Sequence, residues 1–274
     1  DVAKTLGVIS RDGRKDAVGT LEDPIDCGSD IGKAQDLLRD GKHIRLNTEI
    51  EVSLLIDRIA EEAAQAKKDG KDPFDYNLCQ VTVPNTSLFC GESKGVARLH
   101  MPQFSGQPVE GSYAATRYDD EEHESNVMDE FADLLDELGI DVETKDIPVQ
   151  NLKATQNELV GAKVAGIRQA MRDGKIEDKA IYVTRDGYVV DGHHRWAAKM
   201  ALDLEDGKLG DVAMPVKMID ADIGYILDLS NGFTRLAGIK AKATGKQAEG
   251  VKMISVQDIY LGKINEILDR LEGK

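Results

Sequence analysis

The chain has 274 residues, enough for one large domain or two small ones. Hydrophobic residues make up 41%, which excludes a disordered chain, and a formal net charge of −15 argues against a protein that coats DNA through clustered Lys and Arg. No apolar run approaches the ~18 residues of a membrane-crossing helix.

The three cysteines, Cys27, Cys79 and Cys90, are odd in number and match no zinc spacing. They are expected as free thiols in a reducing cytosol. That points to the cytoplasm. The chain begins at Asp1, as a fragment or a processed form would.

Residues 1–30 read as irregular, with an edge strand at most. DIGKAQDLLRDGK is a short helix ending near Gly41. Asn47-Thr48 caps a second helix, with Ile50, Leu54, Ile56, Ile59 and Ala63 as its stripe and a stop near Asp69-Gly70. LCQVTV reads as a strand, PNTS as a turn and SLFC as a second short strand. The Gly-rich run to residue 106 reads as a cap on the main domain. Within it, Gly91-Glu92-Ser93-Lys94-Gly95 is too short for a Walker loop.

YDDEEHESN is a charge block, read as a solvated linker with His123 on the surface. Ser125 is the expected N-cap of the helix that follows, with Val127, Phe131, Leu134, Leu135 and Leu138 buried. DIPVQNL is a strand. ELVGAKVAGIRQAMRDGK is a helix with Val160, Val164, Ile167, Ala170 and Met171 buried and Arg168 on the solvated face. AIYVTRDGYVVDG forms two strands around a hairpin turn at Asp186-Gly187. HHRWAAKMALDL is a helix, AMPVKMID a strand, and the remainder is helical. The fold class is α+β. The expected divisions are an N-terminal α/β region over 1–118, an acidic linker over 119–125, a main domain over 126–222 and a helical extension over 223–274.

Chemistry concentrates in DGYVVDGHHRW, residues 186–196. Gly192-His193-His194-Arg195 falls in the turn from a strand into a helix N-terminus, where backbone N–H groups and the helix dipole favour an anion. Gly192 permits close approach, and Arg195 offers a planar fork to phosphate oxygens. His193 and His194 donate to phosphate or move a proton. Asp191 holds a histidine tautomer or a Mg²⁺ ion. Trp196 belongs to the core.

VVDGHHRWAA resembles the signature of the ParB/sulfiredoxin superfamily, and IPVQNLKATQNELVGAKVAGI resembles its first strand, turn and helix. The likeness covers about residues 146–220. It implies a small mixed sheet with helices and phosphates bound at the turn. Asp191 to Arg195 spell the Asp-Gly-His-His-Arg box of the superfamily's free-serine kinases. The sulfiredoxin cysteine falls at His193, which removes sulfinic-acid repair. His194-Arg195 replaces the double arginine of ParB, and the absence of a recognisable helix-turn-helix argues against chromosome partitioning. The kinase catalytic glutamate follows the first strand, where this chain has Gln156-Asn157-Glu158. Glu158 is therefore the implied general base, and Lys163 a further phosphate ligand. The arrangement is also similar to phage and prophage proteins labelled ParB-like nuclease-domain proteins.

Three readings follow. The first is an NTPase or phosphotransferase that binds ATP, ADP or CTP with Mg²⁺ and serves a small-molecule or protein acceptor. The second is a nuclease in which His193, His194, Asp191 and Glu158 serve a metal-activated water, against which the acidic surface counts. The third is a non-catalytic phage structural or adaptor protein.

Overall fold

The computed structural model describes residues 19–84 and 88–240. The expectations for residues 1–18, for most of the PNTS turn and for the C-terminal helix beyond residue 240 lie outside the described residues. The architecture is mixed α+β and is built on three small sheets.

The first sheet is parallel, in the order β1 (Ile25–Gly28), β2 (Ile44–Leu46), β3 (Val81–Thr82). α1 (Ile31–Arg39) joins β1 to β2, and its N-cap Asp30 accepts from the Lys33 amide at 3.0 Å. α2 (Glu49–Lys68) opens with Glu49 and Glu51 and closes with Lys67 and Lys68, matching the helix dipole at both ends. Its buried face is Val52, Leu55, Ile56 and Ile59, an i, i+3, i+4, i+7 set. Ile50 and Leu54, expected on that stripe, are exposed. The expected strand LCQVTV is a 3₁₀ turn over Leu78–Gln80 followed by the two residues of β3, and Leu88–Cys90 is a turn rather than a strand.

The second sheet is antiparallel, with β6 (Glu124–Asn126) between β4 (Ser105–Gly106) and β5 (Tyr118–Asp119); α3 (Tyr113–Thr116) precedes β5. The charge block is therefore partly paired strand and not a free linker. Ser125 is not a helix cap. It is buried in β6, where its hydroxyl donates to the Ala114 carbonyl at 2.6 Å. Asn126 instead accepts from the Met128 amide at the start of α4 (Met128–Glu137).

The central sheet runs β7 (Val142–Pro148), β10 (Ala213–Ile219), β8 (Ile181–Thr184), β9 (Val189–Asp191). β10 is antiparallel to β7 and parallel to β8, and β8–β9 is the hairpin foreseen at Asp186-Gly187. α5 (Gly161–Arg172), α6 (His193–Asp203) and α7 (Ile223–Ala237) complete the module. Side chains alternate between two cores, as strand geometry requires. Ile181, Val183 and Val189 face a core shared with α1, α2, α5 and α6. Tyr182 and Val190 face one built with Phe104, Phe131 and Phe233. Both cores draw on residues from either side of 119–125, so that segment does not separate two hydrophobic cores.

Two further expectations are corrected. Cys79 and Cys90 form a disulfide, and Cys27 alone is a free thiol. Arg168 is not on a solvated face. It is 1% exposed and bonded to Glu205, Asp57 and Ser53, because the buried face of α5 is Gly161, Val164, Ala165 and Arg168. Among the described residues, no helix is long and apolar enough to cross a membrane.

Candidate phosphate-binding turn

β9 ends at Asp191, and Gly192 turns the chain into α6 with φ +96°. A Cβ at this position would overlap Cγ2 of Ile181 and lie 2.8 Å from its Cβ, so both conformation and space require glycine. The Gly192 carbonyl accepts the first helical bond, from the Trp196 amide at 2.9 Å. No side chain caps α6 and no acidic residue occupies its first turn, which carries His193, His194 and Arg195 instead. A helix start without a capping side chain and with basic residues in place of acidic ones runs against the usual preference.

Both histidines are buried. Nε2 of His193 accepts from the Thr155 amide and Nε2 of His194 from the Val160 amide, each at 3.2 Å. An imidazole whose Nε2 accepts is neutral and carries its proton on Nδ1. Burial pushes the His193 pKa down to about 3, aided by the Arg98 charge. Burial also pushes His194 down to about 3, aided by Lys163, Arg98 and His193. At neutral pH neither ring accepts a further proton. Each ring holds a loop amide at Nε2, with Nδ1–H as its remaining donor.

These shifts tie stability to pH. The folded pKa lies below the unfolded value near 6.5, so this contribution is fully present above pH 6.5 and is lost as pH falls towards 3. At pH 5 each imidazole should cost about 2 kcal/mol. Urea melts at pH 8 and pH 5 should show that loss, and His194→Gln should show roughly half of it. An identical midpoint at both values in the wild type would contradict neutral buried imidazoles.

Residues 155–160 form the loop facing these rings. Thr155 donates its hydroxyl to the Val189 carbonyl at 2.6 Å, and the Gln156 amide donates to the Glu158 carbonyl at 2.7 Å. Glu158 is half-buried in this loop. Lys163 is exposed in the first turn of α5, near enough for its charge to act on His194. Arg195 points elsewhere, its Nη1 donating to the Lys179 carbonyl at 3.2 Å. Trp196 is core, as expected, and its indole N–H donates to the Val149 carbonyl at 2.9 Å. Asp191 is exposed at the end of β9. Among the described residues no group of three or more His, Cys, Asp or Glu is placed to hold a metal ion.

Sequence reasoning missed Arg98. It sits in a 3₁₀ turn over Arg98–His100, and its charge acts on both histidines. Its Nε is buried without a hydrogen-bond partner among the described residues. Val96 bridges to Gln156, which brings the Gly-rich segment, read from the sequence as a cap, onto the loop facing the histidines. The signal was a lone cation in a Gly-rich segment, and no periodicity marks it. The chain matches no protein-family model, no curated protein and no solved structure.

Proposed function

We propose that this protein is a nucleotide-binding phosphotransferase or NTPase with a ParB/sulfiredoxin-like module, and that nucleotide phosphates lie at the start of α6. One observation carries the reading. Arg98 and Lys163, from separate parts of the chain, are set around an uncapped helix N-terminus beside two neutral histidines. An anion there would meet first-turn amides and two cations. The unpartnered Arg98 Nε fits such a ligand.

The phosphates of ATP, ADP or CTP would be held by those groups, with Gly192 letting them approach the backbone. Glu158 is the group assigned to take the proton of an acceptor hydroxyl or of water, since both histidines are too weakly basic near neutrality. His193 and His194 hold the loop that carries Glu158. Mg²⁺ would arrive with the phosphates, with Asp191 as candidate carboxylate, and would neutralise phosphate charge. Arg195 contributes less directly than its sequence position suggests, because it is engaged with Lys179.

Calorimetry with Mg²⁺ and each nucleotide tests this reading. Arg98→Ala and Lys163→Ala are expected to weaken binding by about tenfold or more while melting stays unchanged, the scale of one charge-assisted hydrogen bond. Wild-type protein that binds none of the three nucleotides would remove the reading.

A further inference from the structure

The loop 155–160 is gripped by two arms from the N-terminal half. The first arm, Tyr76–Leu78, holds its far end. The Leu78 amide donates to the Leu159 carbonyl at 2.9 Å, the Gly161 amide to the Tyr76 carbonyl at 2.6 Å, and the Asn77 side-chain amide to the Asn157 carbonyl at 3.2 Å. Asn77 Oδ1 also accepts from two amides, Leu159 and Cys79, each at 3.0 Å. The second arm, Ser93–Val96, holds the near end. The Ser93 hydroxyl donates to the Thr155 carbonyl at 3.1 Å, the Asn157 amide to the Val96 carbonyl at 3.0 Å and the Asn157 side chain to the Gly95 carbonyl at 3.2 Å. Arg98 lies two residues beyond the second arm. Cys79 directly follows the first arm, Cys90 precedes the second by three residues, and the disulfide joins the two.

We infer that the Cys79–Cys90 disulfide is a redox-sensitive clasp that positions the loop 155–160 and Arg98 around the phosphate turn. The inference rests on the anion-binding reading only for its functional readout. The bond spans eleven residues, and closing so short a loop constrains the unfolded chain less than closing a long one. Its effect is local. With both arms joined, the loop amides are delivered to His193 and His194 from fixed ends. With the bond open, each arm keeps only its own few hydrogen bonds, the condition for local opening. A dithiol reductant supplies the chemistry. One of its thiolates attacks Sγ of Cys90, which belongs to the less deeply buried of the two residues, and expels the Cys79 thiolate, which takes up a proton. The second thiol of the reductant then displaces Cys90, which is likewise protonated, and the reductant leaves as its own disulfide.

The test uses the full chain, oxidised and after dithiothreitol, with thiol titration expected to rise from one to three. Amide hydrogen exchange over residues 155–160 should accelerate about tenfold or more on reduction, while circular dichroism keeps the folded spectrum. Affinity for ATP with Mg²⁺ should fall about tenfold and return on reoxidation. The Cys79→Ser/Cys90→Ser double variant should match the reduced form, and Cys27→Ser should leave the response intact. Unchanged exchange over 155–160 overturns the clasp. So does loss of the whole fold on reduction, which would make the bond a general staple. If the oxidised protein binds no nucleotide yet exchange still accelerates, the clasp stands and the anion-binding reading fails.

Discussion

Gly192→Ala is expected to cost about 2–4 kcal/mol of folding stability, a large share of what a domain of this size has. Two separate penalties meet at this residue. The backbone at φ +96° lies where a side chain is strained, costing about 1 kcal/mol or more. The new methyl also overlaps Ile181, a fully buried residue of the central sheet, and overpacking of this kind costs about 1–3 kcal/mol. Urea denaturation measures the sum. A double-mutant cycle with Ile181→Ala measures the part of the loss due to the Cγ2 overlap, because the smaller partner removes that atom and leaves the close Cβ contact and the backbone strain. A Gly192→Ala midpoint equal to wild type would mean that the turn into α6 takes another path.

Arg168→Ala is expected to be about as damaging, at roughly 3 kcal/mol. The guanidinium joins three parts of the fold: Ser53 and Asp57 on α2, its own helix α5, and Glu205 just past α6. Truncation leaves a cavity and strips the Ser53 hydroxyl and carbonyl of a donor. The loss is capped because Arg172 still pairs with both Asp57 and Glu205. Arg168→Met fills the space without the charge and should cost about half as much. Equal losses for the two variants would assign the whole effect to the lost polar bonds and none to packing.

The helices and the β8–β9 hairpin were legible because their signals are local. Asn-Thr before an apolar stripe, Asp-Gly between two β-branched runs and Gly after a helix each act within a few residues. Arg168 shows where a local signal was present and misread. Positions 161, 164, 165 and 168 complete one helical face, so the spacing itself assigned the arginine to the core. The usual expectation that a charge seeks solvent prevailed, although a partnered arginine is an exception to it. Ser125 was misplaced for a different reason. A short polar strand and a helix cap look alike in sequence, and tertiary pairing with β4 and β5 decided between them.

The place of Asp191–Arg195, at the end of a strand and the start of a helix, was readable, but the bonds made by the histidines were not. Their Nε2 atoms are engaged by amides 34 and 38 residues away, and no sequence spacing encodes such a contact. The arms around Cys79 and Cys90 are equally hidden. Each of their bonds has a backbone atom at one end or both, so the bonds leave little residue pattern.

The indole of Trp196 gives this arrangement a practical use. It is the only tryptophan in the chain, and it lies three residues past His193. Its N–H fastens α6 to Val149, where the segment leading to the loop 155–160 begins. Tryptophan emission from this protein therefore comes from one address, the root of the candidate phosphate turn. Ligand arrival, acid titration and opening of the disulfide can all be followed there in unlabelled protein, with no second indole signal to subtract.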